Sequence, residues 1–260
     1  MDLQLEGKSV LITGASQGIG RATAIAFAEA GCHLCLTARN AEALASVAKD
    51  ARQRRKVEVE LYPIDLTSPG AVAAIADRCG EVDILVNNAG AIPSGPLDSI
   101  DEAEWRAGWE LKVFGYINMT RAFLPRMKAR RSGVIVNDIG NSGQHYDSRY
   151  VAGSSGNAGL MAFTRAIGGS SLDYGVRVLA VNPGPVATQR MVKIMKRRAL
   201  DLWGDEARWE ELHAKYPGGR AATPEEVADL IVFLASPRAS YITGTIVTID
   251  GGISSRDSII

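Results

Sequence analysis

Gly14, Gly18 and Gly20 stand in a G-x-x-x-G-x-G spacing, with Ser16, Gln17 and Ile19 among the residues between them. The turn follows directly on the apolar run Val10–Thr13 and leads into an amphipathic stretch. Glycine lets the backbone turn tightly and approach a ligand, and a helix opening there offers free N–H groups and the positive end of its dipole. A pyrophosphate is the group such a turn receives. Three later segments agree. Asp65 and Leu66 end the third apolar run, where a carboxylate can accept from an adenine amino group. Asn87, Asn88, Ala89 and Gly90 end the fourth with small residues suited to close contact with a ribose. Pro183, Gly184, Val186 and Thr188 follow the sixth, and Asp250, Gly251 and Gly252 the last.

The elements that must position these residues are read from periodicity. Strands are expected over Ser9–Thr13, His33–Thr37, Val57–Pro63, Ile84–Asn87, Gly133–Ile139, Arg177–Asn182 and Thr245–Ile249. Helices are expected over Ile19–Ala30, Ala41–Arg54, Ala71–Arg78, Glu102–Lys128, Ser155–Leu172 and Pro224–Leu234. Alternation of all-apolar strands with helices predicts a Rossmann-type α/β fold, a doubly wound parallel sheet covered on both faces. Ligands then bind at the carboxyl ends of the strands. With no internal repeat or low-complexity linker, residues 1–260 read as one domain.

Apolar residues make up 46% of the 260 and charged residues 22%, with 29 basic and 29 acidic side chains in balance. That balance leaves no global field to draw in nucleic acid or an acidic membrane. The opening residues lack a signal-peptide pattern, and no apolar run is long enough to cross a bilayer, so a cytoplasmic protein is expected. Cys32 and Cys35 form a C-x-x-C, but three residues apart on a strand they point to opposite faces, which argues for buried thiols.

Taken together, these motifs resemble the short-chain dehydrogenase/reductase family over essentially the whole length. The T-G-x-x-x-G-x-G of that family is Thr13–Gly20, its N-N-A-G is Asn87–Gly90, and its P-G-x-x-x-T is Pro183–Thr188. The resemblance implies a seven-stranded doubly wound sheet and an oxidoreductase working on a small-molecule carbonyl or alcohol. It also implies a homotetramer or homodimer built through the helices expected at Glu102–Lys128 and Ser155–Leu172. The end of the second strand indicates which dinucleotide binds. An NAD site places an acid there; here Ala38 takes that position and Arg39 follows, which suits the 2′-phosphate of NADP.

For proton handling the resemblance implies a Ser, a Tyr-x-x-x-Lys pair and an Asn. Counting from the flanking motifs puts Gly140 at the Ser, Gly153 at the Tyr, Asn157 at the Lys and Lys112 at the Asn. Lys and Asn have in effect changed places, so Lys112 is the candidate to hold a nicotinamide ribose. Asp138 alternates onto the face of Gly140, where a strand residue should be apolar, and Lys112 is its expected ion-pair partner. Tyr150 and His145 are the candidate proton donors, with Asn141 or Ser142 to orient a carbonyl. Tyr150 precedes Gly153 by three residues, about 4.5 Å along the axis if a helix already runs there. It can serve only if the local chain departs from a continuing helix. Thr188–Arg220 reads as a mostly helical insertion, either a lid over the substrate or a surface helix with a solvated basic face. Two functions stay open: an NADP-dependent oxidoreductase with an atypical active site, or a non-catalytic dinucleotide-binding sensor or partner protein.

Overall fold

The apolar run ahead of the glycine turn forms β1 (Ser9–Thr13), and the turn opens α1 (Gly18–Glu29) in the computed structural model, which describes residues 2–256. Alternation continues through β2 (His33–Ala38), α2 (Ala41–Arg54), β3 (Val59–Pro63), α3 (Ala71–Cys79) and β4 (Ile84–Asn87). Then follow α4 (Glu102–Trp109), α5 (Gly115–Arg130), β5 (Gly133–Asp138), α6 (Val151–Gly168), β6 (Val176–Pro183), α7 (Gln189–Trp203), α8 (Pro224–Ala235) and β7 (Ile246–Ile249). All seven strands are parallel in the order β3-β2-β1-β4-β5-β6-β7, so the winding reverses between β1 and β4. Crevices at such a reversal are where doubly wound sheets bind ligands.

Both sheet faces are buried, which is why the strands carry apolar residues at successive positions. Val10, Ile12, Leu36 and Val136 pack against Phe27 of α1, Leu44 of α2 and Ile231 of α8. Leu11, Leu85 and Ile135 pack on the other face against Ile75 of α3 and Phe123 of α5. Cys32 lies in the first of these cores and Cys35 in the second, as strand geometry requires. Burial pushes the Cys32 thiol up to about 12, so it stays inert.

Several expected boundaries move by a residue, and the helix expected to reach Leu172 ends at Gly168. The strand expected from Val57 begins at Val59. The helix expected over Glu102–Lys128 is broken by a π-helical turn, Glu110–Phe114, between α4 and α5. The helix expected from Ser155 already begins at Val151, because Tyr150 lies outside helical geometry (φ −142°, ψ 42°) and stands as its N-cap. Within 188–220, α7 buries Met195 and Ala199, and a 3₁₀ stretch, Glu206–Lys215, packs along it.

A buried polar chain fixes the middle of the sheet to the helices on one face. Asn87 Nδ2 donates to Asn137 Oδ1 (2.9 Å) and Thr120 Oγ1 (3.3 Å), and Asn137 Nδ2 donates to Thr164 Oγ1 (2.9 Å). On the opposite face Arg177 of β6 holds α8. Its guanidinium donates to the carbonyls of Leu234 (2.5 Å), Ala235 (2.9 Å) and Ser236 (3.0 Å), the orphan acceptors of that helix end. Arg177→Met leaves those buried carbonyls without a donor and should cost about 3 kcal/mol of stability, read as a lower urea midpoint at unchanged slope.

Candidate active site

Gly14, Ser16, Gln17, Gly18, Ile19, Arg39, Asp65, Leu66, Asn88, Ala89, Gly90, Lys112, His145, Tyr150, Pro183, Gly184, Val186 and Thr188 line one cleft of about 1050 Å³ along the carboxyl ends of the strands. Gly20, Asn87, Gly153, Asp250, Gly251 and Gly252 do not line it. Gly20 stands behind it, where a Cβ would collide with the Gly14 carbonyl oxygen and push the helix off the turn. The turn is also laced to the end of β4. Thr13 Oγ1 accepts from the amides of Asn88 (2.9 Å) and Ala89 (3.0 Å), and Asn88 Nδ2 donates to the carbonyls of Thr13 (2.9 Å) and Gly14 (3.2 Å). Gly14 has φ +68°, and a Cβ there would sit 2.8 Å from Ala89 Cα. The other wall closes in from β6. Thr188 Oγ1 caps α7 through the Met191 amide (3.3 Å), while its methyl lies 3.2 Å from where a Gly18 Cβ would be.

These residues fit a dinucleotide. Asn40, Asp101, Thr188 and Thr223 cap α2, α4, α7 and α8 with side-chain oxygens, but α1 opens on an extended Gln17 with no side-chain cap. No side chain competes with an anion for its first N–H groups. At the far end Asp65 Oδ1 accepts from the Thr67 amide (2.9 Å) and hydroxyl (2.8 Å), which hold its carboxyl below the ordinary range. Its other oxygen lies 4.0 Å from Arg39 Nη1, and the Arg39 side chain is 74% exposed.

The chemical end of the cleft rests on the π-helical turn. Lys112 leaves that turn, runs its stem over Gly90 and donates from Nζ to the Ile139 carbonyl (2.5 Å). A Cβ on Gly90 would lie 2.8 Å from Lys112 Cδ, so the glycine gives the stem its path. The expected Lys112–Asp138 ion pair does not form: among the described residues no salt bridge joins them, since the ammonium is carried past Asp138 to Ile139. The two charges still act on one another. Burial pulls Lys112 down to about 8 against the attraction of Asp138, with Arg190 lowering it further. Burial pushes the Asp138 carboxyl up to about 6 against the attraction of Lys112.

Tyr150 does not continue the helix. Its ring folds back over Gly153, where a Cβ would fall inside the envelope of the ring carbons Cζ and Cε1. The ring packs against the cluster of Ile92, Ile100 and Ala152, on which Trp105 and Trp109 also pack. Burial raises its phenol above the ordinary value, and the nearby Arg190 opposes that rise. Asn157 is buried further along α6, its Nδ2 donating to Ser142 Oγ (2.8 Å) and the Gly140 carbonyl (3.4 Å), while its Oδ1 has no donor. Ser142 and Asn141 both line the cleft, and Asn141 Nδ2 donates to Ser254 Oγ (3.1 Å) and Asp250 Oδ2 (3.5 Å). His145 is exposed on the rim.

Arg190 and Tyr216 are cleft residues that sequence patterning did not single out as site residues. Arg190 donates from Nη2 to the Ile92 carbonyl (2.7 Å), tethering α7 to the loop after β4. A basic helix face is the only signal in the sequence, and it does not distinguish Arg190 from its solvated neighbours. A separate hollow of about 810 Å³, walled by Leu97, Trp105, Trp109 and Phe114, lies on α4 and the π turn.

Comparison with known proteins agrees with this geometry. The family model described as enoyl-(acyl carrier protein) reductase matches residues 14–254. The chain is 34% identical over 254 residues to the 2-keto-3-deoxy-L-fuconate dehydrogenase of Xanthomonas campestris, covering 96% of this chain and 81% of that one. It is 35% identical over 255 residues to the galactitol 2-dehydrogenase (L-tagatose-forming) of Cereibacter sphaeroides, covering 96% of each. The crystal structure of L-sorbose reductase from Gluconobacter frateurii, complexed with NADPH and L-sorbose, superposes with a TM-score of 0.92 at 31% identity, over 99% of this chain and 100% of that one. With this sheet order, this cradle and these relatives, the chain belongs to the short-chain dehydrogenase/reductase family.

Proposed function

We propose that this protein is an NADP(H)-dependent oxidoreductase for a carbonyl or alcohol, with Tyr150 as the proton-handling group and Lys112 as the cation at the nicotinamide end. The observation that carries this reading is the Tyr150 ring, which fills the space over Gly153 inside the cleft that the glycine turn opens. Position 153 thus lacks a side chain where the resemblance implies a tyrosine, yet a phenol occupies the neighbourhood. The names of the relatives, a keto-deoxy sugar-acid dehydrogenase, a galactitol dehydrogenase and a sorbose reductase, point to hydroxylated substrates.

Gly14, Ser16, Gln17, Gly18, Ile19 and Thr188 would hold the pyrophosphate, with Gly20 supporting the turn. Asp65 and Leu66 would face the adenine, and Asn88, Ala89 and Gly90 the riboses. Pro183, Gly184 and Val186 would back the nicotinamide. Arg39 would pair with the 2′-phosphate, because its guanidinium is largely free and no acid stands at position 38 to repel that group. When bound, the reduced nicotinamide supplies a hydride. Tyr150 Oη donates the proton to the carbonyl oxygen in reduction and takes it back in oxidation. Lys112 has N–H bonds to spare beyond the one at Ile139 and would give them to ribose oxygens. His145, on the rim, would contact the substrate, and residues 188–220 would cover it as a lid tethered by Arg190.

A second reading has its own support. Gly140, Gly153 and Asn157 stand where the resemblance implies Ser, Tyr and Lys, which suits a protein that binds the dinucleotide without turning it over. The two readings separate in one assay: NADPH oxidation with a panel of ketoses and other carbonyls. Tyr150→Phe should lower turnover about a hundredfold with NADPH affinity preserved. NADPH binding without turnover on any carbonyl supports the second reading.

Lys112 carries a pH signature. It loses its proton near pH 8, so NADPH affinity should fall as pH rises through about 8. Lys112→Met should remove that inflection and cut turnover at least about tenfold. Arg39→Leu should weaken NADPH about tenfold or more and leave NADH unchanged. Equal affinities of the wild-type chain for NADPH and NADH would defeat the NADP assignment.

A further inference from the structure

β3 is an edge strand of the sheet, and a cluster of sulfur and polar side chains gathers behind it, outside the cleft. Glu60 of β3 stands opposite Cys35 of β2 in the parallel register, and Tyr62 follows two residues on, on the same face. The Tyr62 hydroxyl donates to the Glu60 carboxylate and also reaches the Arg78 carbonyl (3.3 Å). The Arg78 guanidinium lies over the same ring, 5.4 Å from its centroid. These contacts dock the last turn of α3 beside the strand pair, and the final residue of that turn is Cys79. Cys79 packs on the core cluster that contains Cys35, and the two sulfurs share a hydrogen bond. That bond draws the Cys35 thiol below its ordinary range and raises the Cys79 thiol, so the shared proton stays on Cys79. Cys35 is the sulfur that ionises first.

The three cysteines are all free thiols, yet they are not equivalent. Cys32 is 0% exposed and donates to the Leu5 carbonyl (3.3 Å). Cys35 is 7% exposed and Cys79 is half-buried, so an oxidant as small as hydrogen peroxide can reach the pair. A metal is not the occupant these residues suit: among the described residues no three His, Cys, Asp or Glu side chains are grouped to hold one. The end of α3 has room to adjust. Gly80, which follows Cys79, has φ +60° and ψ −124°, and a Cβ there would meet nothing within 4 Å. A helix end followed by such a residue can shift to bring two sulfurs to bonding distance.

We propose that Cys35 and Cys79 are a peroxide-oxidised pair whose disulfide staples α3 to β2 behind the edge of the sheet. The Cys35 thiolate gives an electron pair to one peroxide oxygen, the O–O bond breaks, and the other oxygen leaves as water with the Cys35 proton. The Cys79 sulfur attacks the resulting sulfenic sulfur, so that the S–S bond forms and the S–O bond breaks. The second oxygen leaves as water with the Cys79 proton. Two thiols are thereby oxidised by two electrons and one peroxide is reduced. The staple closes the chain from β2 to the end of α3, which restrains the unfolded state and raises the melting temperature. It is independent of the proposed function, since neither sulfur lines the cleft.

The test uses the full chain, reduced, freed of reductant and treated with hydrogen peroxide. The protein is then unfolded in N-ethylmaleimide and mapped by peptide mass spectrometry. One alkylated thiol, on Cys32, is expected, with a peptide joining Cys35 to Cys79 and a higher melting temperature than the reduced chain. Dithiothreitol should reverse all three. Cys79→Ser should leave Cys35 as a sulfenic acid that dimedone traps, and its melting temperature should be indifferent to peroxide. Three alkylated thiols after peroxide, a disulfide through Cys32 or between chains, or a Cys35–Cys79 link that does not raise the melting temperature overturns the staple. The wild-type mapping decides this whether or not the variant folds. A folded Cys79→Ser chain that gives dimedone no adduct overturns Cys35 as the sulfur attacked first.

Discussion

The ring of Tyr150 lies where any side chain at position 153 would have to go, and much of the chemical end of the cleft depends on that overlap. The Tyr150 carbonyl accepts from the Ser154 amide (2.8 Å) and so opens α6, while its ring turns back along the helix it has just started. Trp109 closes the same contact from α4, its Nε1 donating to the Ala152 carbonyl (2.9 Å). A side chain at 153 would expel the ring from the first turn of α6. Asn157, one turn further on, keeps its place because the helix is fixed at both ends: by Tyr150 at the start and by the Asn137–Thr164 bond further along.

Two buried charges show how differently this chain treats polar groups in its core and in its cleft. Arg177 is as buried as Asp138, each being 7% exposed, and every carbonyl around it receives a hydrogen bond. Asp138 receives none on its carboxylate, and burial lifts its carboxyl from 3.8 to about 6. At about 1.4 kcal/mol per unit, that lift corresponds to about 3 kcal/mol of folded-state stability lost at neutral pH. The sign follows from the direction. A carboxyl raised in the folded state favours folding only while protonated, so the cost is absent below the unfolded value near 4 and complete above about 6. Lys112 carries a parallel cost below about 8. A chain shaped by stability alone would place an apolar residue at 138, as it does at Val136 on the same face.

The sequence made the fold and the dinucleotide half legible because their signals are local. A glycine turn between an apolar run and a helix has one geometry, and all-apolar strands require two covered faces. The chemical half was legible only as a set of positions. Gly140, Gly153, Asn157 and Lys112 could be counted out, but their relations depend on backbone departures that no periodicity records. The π-helical turn at Glu110–Phe114 sends Lys112 to the Ile139 carbonyl instead of to Asp138. The non-helical backbone of Tyr150 removes the helical displacement that counting along the chain implies. Arg190 was hidden for another reason: its partners are the carbonyls of Ile92 and Gly90, and backbone acceptors carry no residue signature.

Those carbonyls join α7 to the Lys112 and Tyr150 end of the cleft. Gly90 gives the Lys112 stem its path, and Ile92 packs against the Tyr150 ring, so the loop that Arg190 grips touches both groups. The guanidinium also acts on both through space. It disfavours the ammonium of Lys112 and favours the phenolate of Tyr150. Burial is the larger cause at both groups, and the guanidinium modulates it. Arg190 holds α7 to that loop through two backbone carbonyls rather than an ion pair. Bonds of that kind depend on the exact path of the loop after β4, and that loop is set by the same Asn88 and Thr13 contacts that fix the glycine turn. The two ends of the cleft are thereby one mechanical unit, with the dinucleotide cradle at its centre.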